Sequence, residues 1–285
     1  MRIIRQFIFT LISFFLFIPP IIFAATSPGL GKTNTFTILS STYTNTANGT
    51  IITGDLGYTT PPATAATVNG TTHVADSVYN QAGIDQGTAL SALNSQLCSF
   101  TFAPGAIDLA SDTTHGPAGV YTPGIYCITG AASIGGGGTI TLTGSGTYIF
   151  RMTGALNSSA NSVVALAGGA SSCNVWWTPG AATTLGANST FKGTDIDASG
   201  ITIGSTINWN GRALAFGGTV STTTDTITVG TCASSSVSGS SSSGLSNTSG
   251  GVPLNLFIGI FVIILIALLN LNRIKKFIKD AKQNS

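Results

Sequence analysis

Charge is what this 285-residue chain has least of: charged residues make up 7% of it, and glutamate is absent. Seven of the eleven Lys and Arg residues lie at the two ends, at Arg2, Arg5 and from Arg273 onward. Between them only Lys32, Arg151, Lys192 and Arg212 stand against eight aspartates, a net charge of −4. No basic stripe exists to engage phosphates, which argues against a nucleic-acid partner. Histidine is limited to His73 and His115, and no Ser-His-Asp grouping, nucleotide loop or metal-ligand cluster is visible. The four cysteines show no Cys-x-x-Cys spacing, which argues against zinc. The sequence implies no cofactor and no catalytic residue.

What the chain does have is long apolar runs at both ends. Residues 1–25 carry a basic start, an apolar run from Phe7 to Phe23 and small residues at Ala24 and Ala25. They read as a signal peptide, with an uncleaved anchor as the alternative. Residues 252–272 contain a second apolar run, Leu254 to Leu271. Its eighteen helical residues would reach about 27 Å, close to the ~30 Å of a bilayer core. The basic residues of 273–285 place that tail inside and everything before it outside. No Leu-Pro-x-Thr-Gly motif precedes the run, which favours retention of the helix. The expected layout is a domain at 26–232, a Ser/Gly-rich linker at 233–251, a transmembrane helix at 252–272 and a cytoplasmic tail. The domain is placed outside a single-pass cell-membrane anchor and is expected to be monomeric.

An even cysteine count in an oxidising compartment favours two disulfides. Of three possible connectivities, Cys98–Cys127 and Cys173–Cys232 are the expected pairs. Alternating apolar and Thr-rich stretches at Thr139–Thr143, Thr147–Arg151, Gly200–Ile203 and Asp225–Val229 predict strands with one buried face. His73 to Gln96 breaks that pattern. Val74, Val78, Ala82, Ala89 and Leu93 recur near helical spacing, so a narrow-striped helix is expected there, weakened by Gly83 and Gly87.

Leu185–Ile196 and Ile203–Leu214 repeat each other at one fixed offset, Leu185 answering Ile203 and Gly193 answering Gly211. Fainter copies occur at Ile134–Ile140 and Leu156–Val163, while Ala170–Pro179 reads as an inserted loop. A short fixed period is the mark of stacked coils, each burying its apolar face on its neighbour. In that register Thr202 points outward with Thr184 one coil earlier. The next coil slips by one, which puts Thr219 and Ser221 on the same face and gives a column Thr184, Thr202, Thr219. Thr139, Thr141 and Thr143 form another uncharged surface that extends or replaces the column. A third surface, around Thr190 and Asn208, is expected to carry the charges of Lys192, Asp195, Asp197 and Arg212. Asp195 and Asp197 share one side of a strand and could pose as a carboxylate pair or hold calcium; a solvated polar edge is the plainer reading.

These stretches together resemble the microbial ice-binding-like family. The matching residues include Ile52-Thr53-Gly54-Asp55-Leu56-Gly57, Thr72-His73-Val74-Ala75-Asp76, Pro123-Gly124-Ile125-Tyr126, Cys173-Asn174-Val175-Trp176-Trp177 and, most specific, Asn210-Gly211-Arg212-Ala213-Leu214-Ala215. The resemblance runs from about Gly29 to Val229. It implies an all-β fold with one helix: a right-handed discontinuous β-solenoid of triangular cross-section, flanked by the helix. It also implies that an ice crystal surface is the partner, held by a flat face of outward Thr, Ser, Ala and Gly. A cell-surface adhesin that binds polysaccharide or other cells is the second reading, and a solenoid hydrolase the third.

Overall fold

The structure, a computed structural model, describes residues 24–230. The expected linker, spanning helix, tail, Cys232 and nearly all of the signal peptide lie outside the described residues. Among those described, no helix is long and apolar enough to cross a membrane.

Within this range the chain forms twenty strands, two 3-10 turns and one α-helix, α1 (Ser77–Asn94). The strands pair in parallel, and they sort into three ladders. The chain visits each ladder in turn, so a strand meets its own successor one coil later. Thr184 faces Thr202 and Trp209 faces Ile227, each at the offset of the sequence repeat. The faint copies seen in sequence are also real neighbours: Ile134 faces Ser158, which faces Leu185, and Thr139 faces Val163, which faces Thr190.

Stacking in register puts like side chains one above another at the strand spacing of about 4.8 Å. Inside the coils this builds an aromatic column. Tyr126, Phe150 and Trp177 lie nearly parallel, with ring centroids 5.2 and 4.4 Å apart, and Phe191 continues the column 5.2 Å from Trp177. One ladder is apolar on its outer side as well. There Leu39, Leu214, Ile196, Trp176, Ile149 and Ile125 are all buried. Such a row would be a greasy stripe in water, and α1 covers it with Tyr79, Ala82, Ala89 and Leu93. Each large side chain so covered contributes about 1.5–3 kcal/mol.

Helix α1 begins four residues later than its sequence pattern suggests. Thr72–Val74 pairs as a strand with Leu56–Tyr58, and Ala75 turns with φ 49°. The Asp76 carboxylate then caps the helix, accepting from the Tyr79 N–H at 2.8 Å. Val74 therefore falls off the apolar stripe and is 54% exposed. At the other end the Arg151 guanidinium donates to the carbonyls of Asn94 and Gln96, a cation at the negative end of the helix. The same guanidinium reaches the sulfurs of Cys98 and Cys127, which form the expected disulfide. Cys173 is also disulfide-bonded. Its expected partner Cys232 lies outside the described residues.

The expected inserted loop at Ala170–Pro179 is corrected: Val175–Thr178 is a strand of the helix-covered ladder. Trp177 points into the core and Trp176 points out beneath α1. With both sides buried, such a strand loses its alternation and reads as a plain apolar run.

Candidate functional site

The two ladders that α1 leaves open offer two outward surfaces. The first is assembled from Thr67–Asn69, Ile51–Thr53, Thr226–Thr228, the start of Asn208–Thr222, the start of Thr190–Ile196, Val163–Ala167 and Thr139–Thr143. Its outward column runs Thr67, Ile51, Thr226, Asn208, Thr190, Val163, Thr139. Seven positions at the strand spacing span roughly 29 Å. A second column beside it contains Asn69, Thr53, Thr228, Asn210 and Lys192 in continuous register, and Ala165 and Thr141 occupy its far end. Thr143, facing Ala167, sits at the margin. The hydroxyls of Thr67, Thr226, Thr190, Thr139, Thr53, Thr228 and Thr141, all exposed or half-buried, make no hydrogen bond among the described residues, so each is free to bond outward.

The second surface contains the column expected from the echo of Leu185–Ile196 in Ile203–Leu214. Thr184 and Thr202 do face each other, and both are exposed. The next member is Ser221, however, because Ile201 pairs with Val220 and Thr202 with Ser221. Thr219 stands one step aside, opposite Thr42. The full column is Asp108, Ser133, Asn157, Thr184, Thr202, Ser221, Thr44. The register shifts beside this column, between Ala155 and Asn157, and again at the corner where Phe36–Asn45 leaves the helix-covered ladder, between Ser40 and Thr42. Several of the column's polar groups are already engaged: Thr44 donates to Ser221 at 2.8 Å, and the Asp108 carboxylate accepts from the N–H groups of Ala110 and Gly135. Thr139, Thr141 and Thr143 belong to the first surface and do not extend this one.

The charged surface expected around Thr190 and Asn208 is not there. Asp195, Asp197 and Arg212 are 0%, 1% and 3% exposed, so the solvated polar edge is corrected too. Gly193 and Gly211 mark the place where the two long strands turn a corner. Beyond it the strands leave the open ladder and join the helix-covered one. Asp195 then points inward and Arg212 outward, against the turn that precedes Phe36. There its guanidinium donates to the Asn34 carbonyl at 2.8 Å and to Asn34 Oδ1 at 3.1 Å. Burial lowers the Arg212 pKa to about 10, leaving it protonated at neutral pH. Burial, then the neighbouring Asp197, push the Asp195 carboxyl well above the usual carboxylate range, and the Thr183 hydroxyl opposes them. Two carboxyls sealed inside the coils have no access to a glycan chain. Only Lys192, half-exposed, puts a full charge on the first surface.

Both histidines serve the scaffold. His73 Nδ1 lies 2.7 Å from Asp76 Oδ2 at the start of α1, and its ring packs on Phe36. His115 stacks on Tyr121 at 4.0 Å.

Sequence reasoning missed half of the first surface. Thr67, Ile51 and Thr53 come from segments distant from the clean repeat, so no short ruler reaches them, whereas Thr226 and Thr228 lie one further step of the same offset beyond Asn208 and Asn210. The only local signal was the alternation Thr226-Ile227-Thr228, one outer surface of a strand.

Residues 38–228 match the ice-binding-like family. An ice-binding protein of Flavobacterium frigoris is 32% identical over 201 residues, covering 65% of this chain and 71% of that protein. One from a Nostoc strain is 31% identical over 215 residues, covering 72% of this chain and 75% of its own. Among solved structures, an ice-binding protein from an Antarctic biological consortium superposes with a TM-score of 0.63 at 29% identity, covering 74% of this chain and 95% of that one. These relatives are ice-binding proteins rather than enzymes. Over the whole of its coiled parallel sheet, this chain belongs to the ice-binding-like family.

Proposed function

We propose that the chain adsorbs to ice through the open surface centred on Thr226, Asn208 and Thr190. On this reading the coil is a right-handed β-solenoid of triangular section, and the two open ladders compete for the role of ice face. One observation favours the first: its threonine hydroxyls are unengaged along a register that does not slip, whereas on the second the hydroxyls of Thr44, Ser221 and Ser133 are already bonded. Adsorption to a crystal plane needs many weak contacts made at once, so a face gains from each added position that keeps the spacing. Methyl groups of Thr, Ile and Val at about 4.8 Å intervals hold few water molecules of their own, while free hydroxyls can take places in an ordered water layer. A fixed charge holds its own hydration shell, which makes Lys192 the one discordant group. The second surface has its hydroxyls partly satisfied by one another, a slip of register beside its column and a carboxylate at one end.

The expected signal peptide, linker and terminal helix would hold this domain at the outer surface of a membrane. Adsorption there would restrain ice next to the cell or attach the cell to ice.

The test is ice-affinity partitioning of residues 26–232, alone and with one bulky ring placed on each surface. Thr226→Tyr should reduce the ice-bound fraction at least ~10-fold, and Thr202→Tyr should leave it unchanged. The reverse pattern would move the site to the Thr184–Thr202–Ser221 column. A wild-type domain that remains entirely in the liquid would end the ice reading.

A further inference from the structure

The inner wall of the helix-covered ladder is apolar along the column Ile38, Ala213, Trp177, Phe150, Tyr126, except at one rung. Asp195 occupies the place between Ala213 and Trp177. Two residues on, Asp197 also points inward at the corner, with its N–H bonded to the Leu214 carbonyl. Thr183, wholly buried on the adjoining ladder, is the third polar group there. As two carboxylates and a hydroxyl, this trio is badly matched. Neither oxygen of Asp195, nor Oδ2 of Asp197, nor the Thr183 hydroxyl has a well-formed partner. Two full negative charges in a sealed interior would carry a desolvation penalty of several kcal/mol each.

The surroundings treat the two acids differently. Asp197 Oδ1 accepts from the Ser199 N–H at 2.8 Å. The backbone N–H groups of Thr183 and Gly200 also favour its charged form, although burial, the largest influence, acts the other way. Asp195 has no backbone donor. Its strand neighbours Trp177 and Ala213 carry no charge, Lys192 and Arg212 turn outward, and Asp197 is the one charged group that acts on it. The Thr183 hydroxyl lies close enough to affect both carboxyls. A hydroxyl can accept from one partner while it donates to another.

We propose that Asp195 and Asp197 hold one proton between them: Asp195 is a neutral acid donating to the Thr183 hydroxyl, which donates in turn to the Asp197 carboxylate. This relay satisfies the stranded oxygens of Thr183 and Asp197 and leaves a single buried charge, held by backbone N–H groups. Its consequence is a pH-sensitive joint in the middle of the coil stack. Asp195 binds its proton more tightly folded than unfolded, where an aspartate titrates near pH ~3.9. The stability it supports is therefore fully present below that pH and is lost as pH rises through its folded value. Paired carboxylates such as Asp76, depressed in the fold, act in the opposite sense, and only in acid.

The experiment follows the thermal midpoint of the full chain in mild detergent, by tryptophan fluorescence, from pH 5 to pH 9. The wild-type midpoint should fall by at least ~3 °C over this range. Asp195→Asn, which donates like the neutral acid but cannot ionise, should flatten most of that fall and melt higher than wild type at pH 9. Asp225, raised by burial on another coil, accounts for slope that remains. An undiminished slope in Asp195→Asn would overturn the proposal. So would a midpoint raised by millimolar calcium in wild type but not in the variant, which would place a cation between the acids. Should the variant fail to fold, infrared spectra of the wild type with isotope-labelled aspartate decide: a protonated carboxyl band at pH 7 is expected, and its absence refutes the relay.

Discussion

At Gly211 the stacking of two strands leaves no room for a methyl group. A Cβ placed there would lie 1.7 Å from the Gly193 carbonyl oxygen, and the residue's φ of 156° is itself unfavourable to a side chain. The obstruction is backbone, which cannot rotate aside. Gly211→Ala should therefore destabilise the fold by about 3 kcal/mol, at or above the upper end of ordinary overpacking, as read from the denaturation midpoint in urea. The same glycine explains what the sequence concealed about its neighbours. Its pairing with Gly193 was plain in the repeat. That the pair forms a corner, and so carries Asp195 and Arg212 away from the face of Asn208, was not. A strand that changes ladders midway keeps its residue types and loses its surface. Buried acids also contradict the usual partition of charge to solvent, and only the structure reveals the environment that tolerates them.

Helix α1 carries two glycines that look alike in sequence and differ in packing. A Cβ at Gly83 would meet the Phe216 ring at 2.4 Å, whereas at Gly87 it would meet nothing within 4 Å. Replacing either glycine by alanine gains up to ~1 kcal/mol of helix propensity. At Gly87 that gain stands alone, so Gly87→Ala should raise stability by about that amount. At Gly83 it opposes an overpacking penalty of about 1–3 kcal/mol, and the aromatic ring, itself packed on Tyr79 with centroids 5.1 Å apart, has little room to yield. Gly83→Ala should be neutral to destabilising. A pair of melting curves checks both, and equal shifts for the two variants would mean that α1 does not seat against Phe216 as described. The helix itself was legible because its stripe has a period no strand shares. Its first turn was not legible, since Thr72-His73-Val74 satisfies both a helical stripe and an edge strand, and pairing with Leu56–Tyr58 decides the matter.

For the whole molecule, rigidity and recognition are separable. The echo between Leu185–Ile196 and Ile203–Leu214 revealed the stack and the outward Thr184 and Thr202. It could not reveal which open ladder stays in register from end to end, because that property belongs to segments as far apart as Ile51 and Thr226. The scaffold is secured elsewhere, on the helix-covered side, where the Cys98–Cys127 bridge closes a separation of 29 residues. Loop-closure entropy gives such a bridge about 3.5 kcal/mol, which for a domain of this size corresponds to roughly 7–14 °C in the thermal midpoint. The bridge lies beneath the end of α1 and contributes no side chain to either open surface. Replacing both cysteines by serine should lower the melting temperature by that amount and leave the ice-bound fraction at 0 °C unchanged, provided the variant is folded there. A parallel loss of ice affinity in a folded variant would mean that the binding register depends on tension transmitted around the coil. Unchanged affinity would mean that each stacked strand sets its own place on the face.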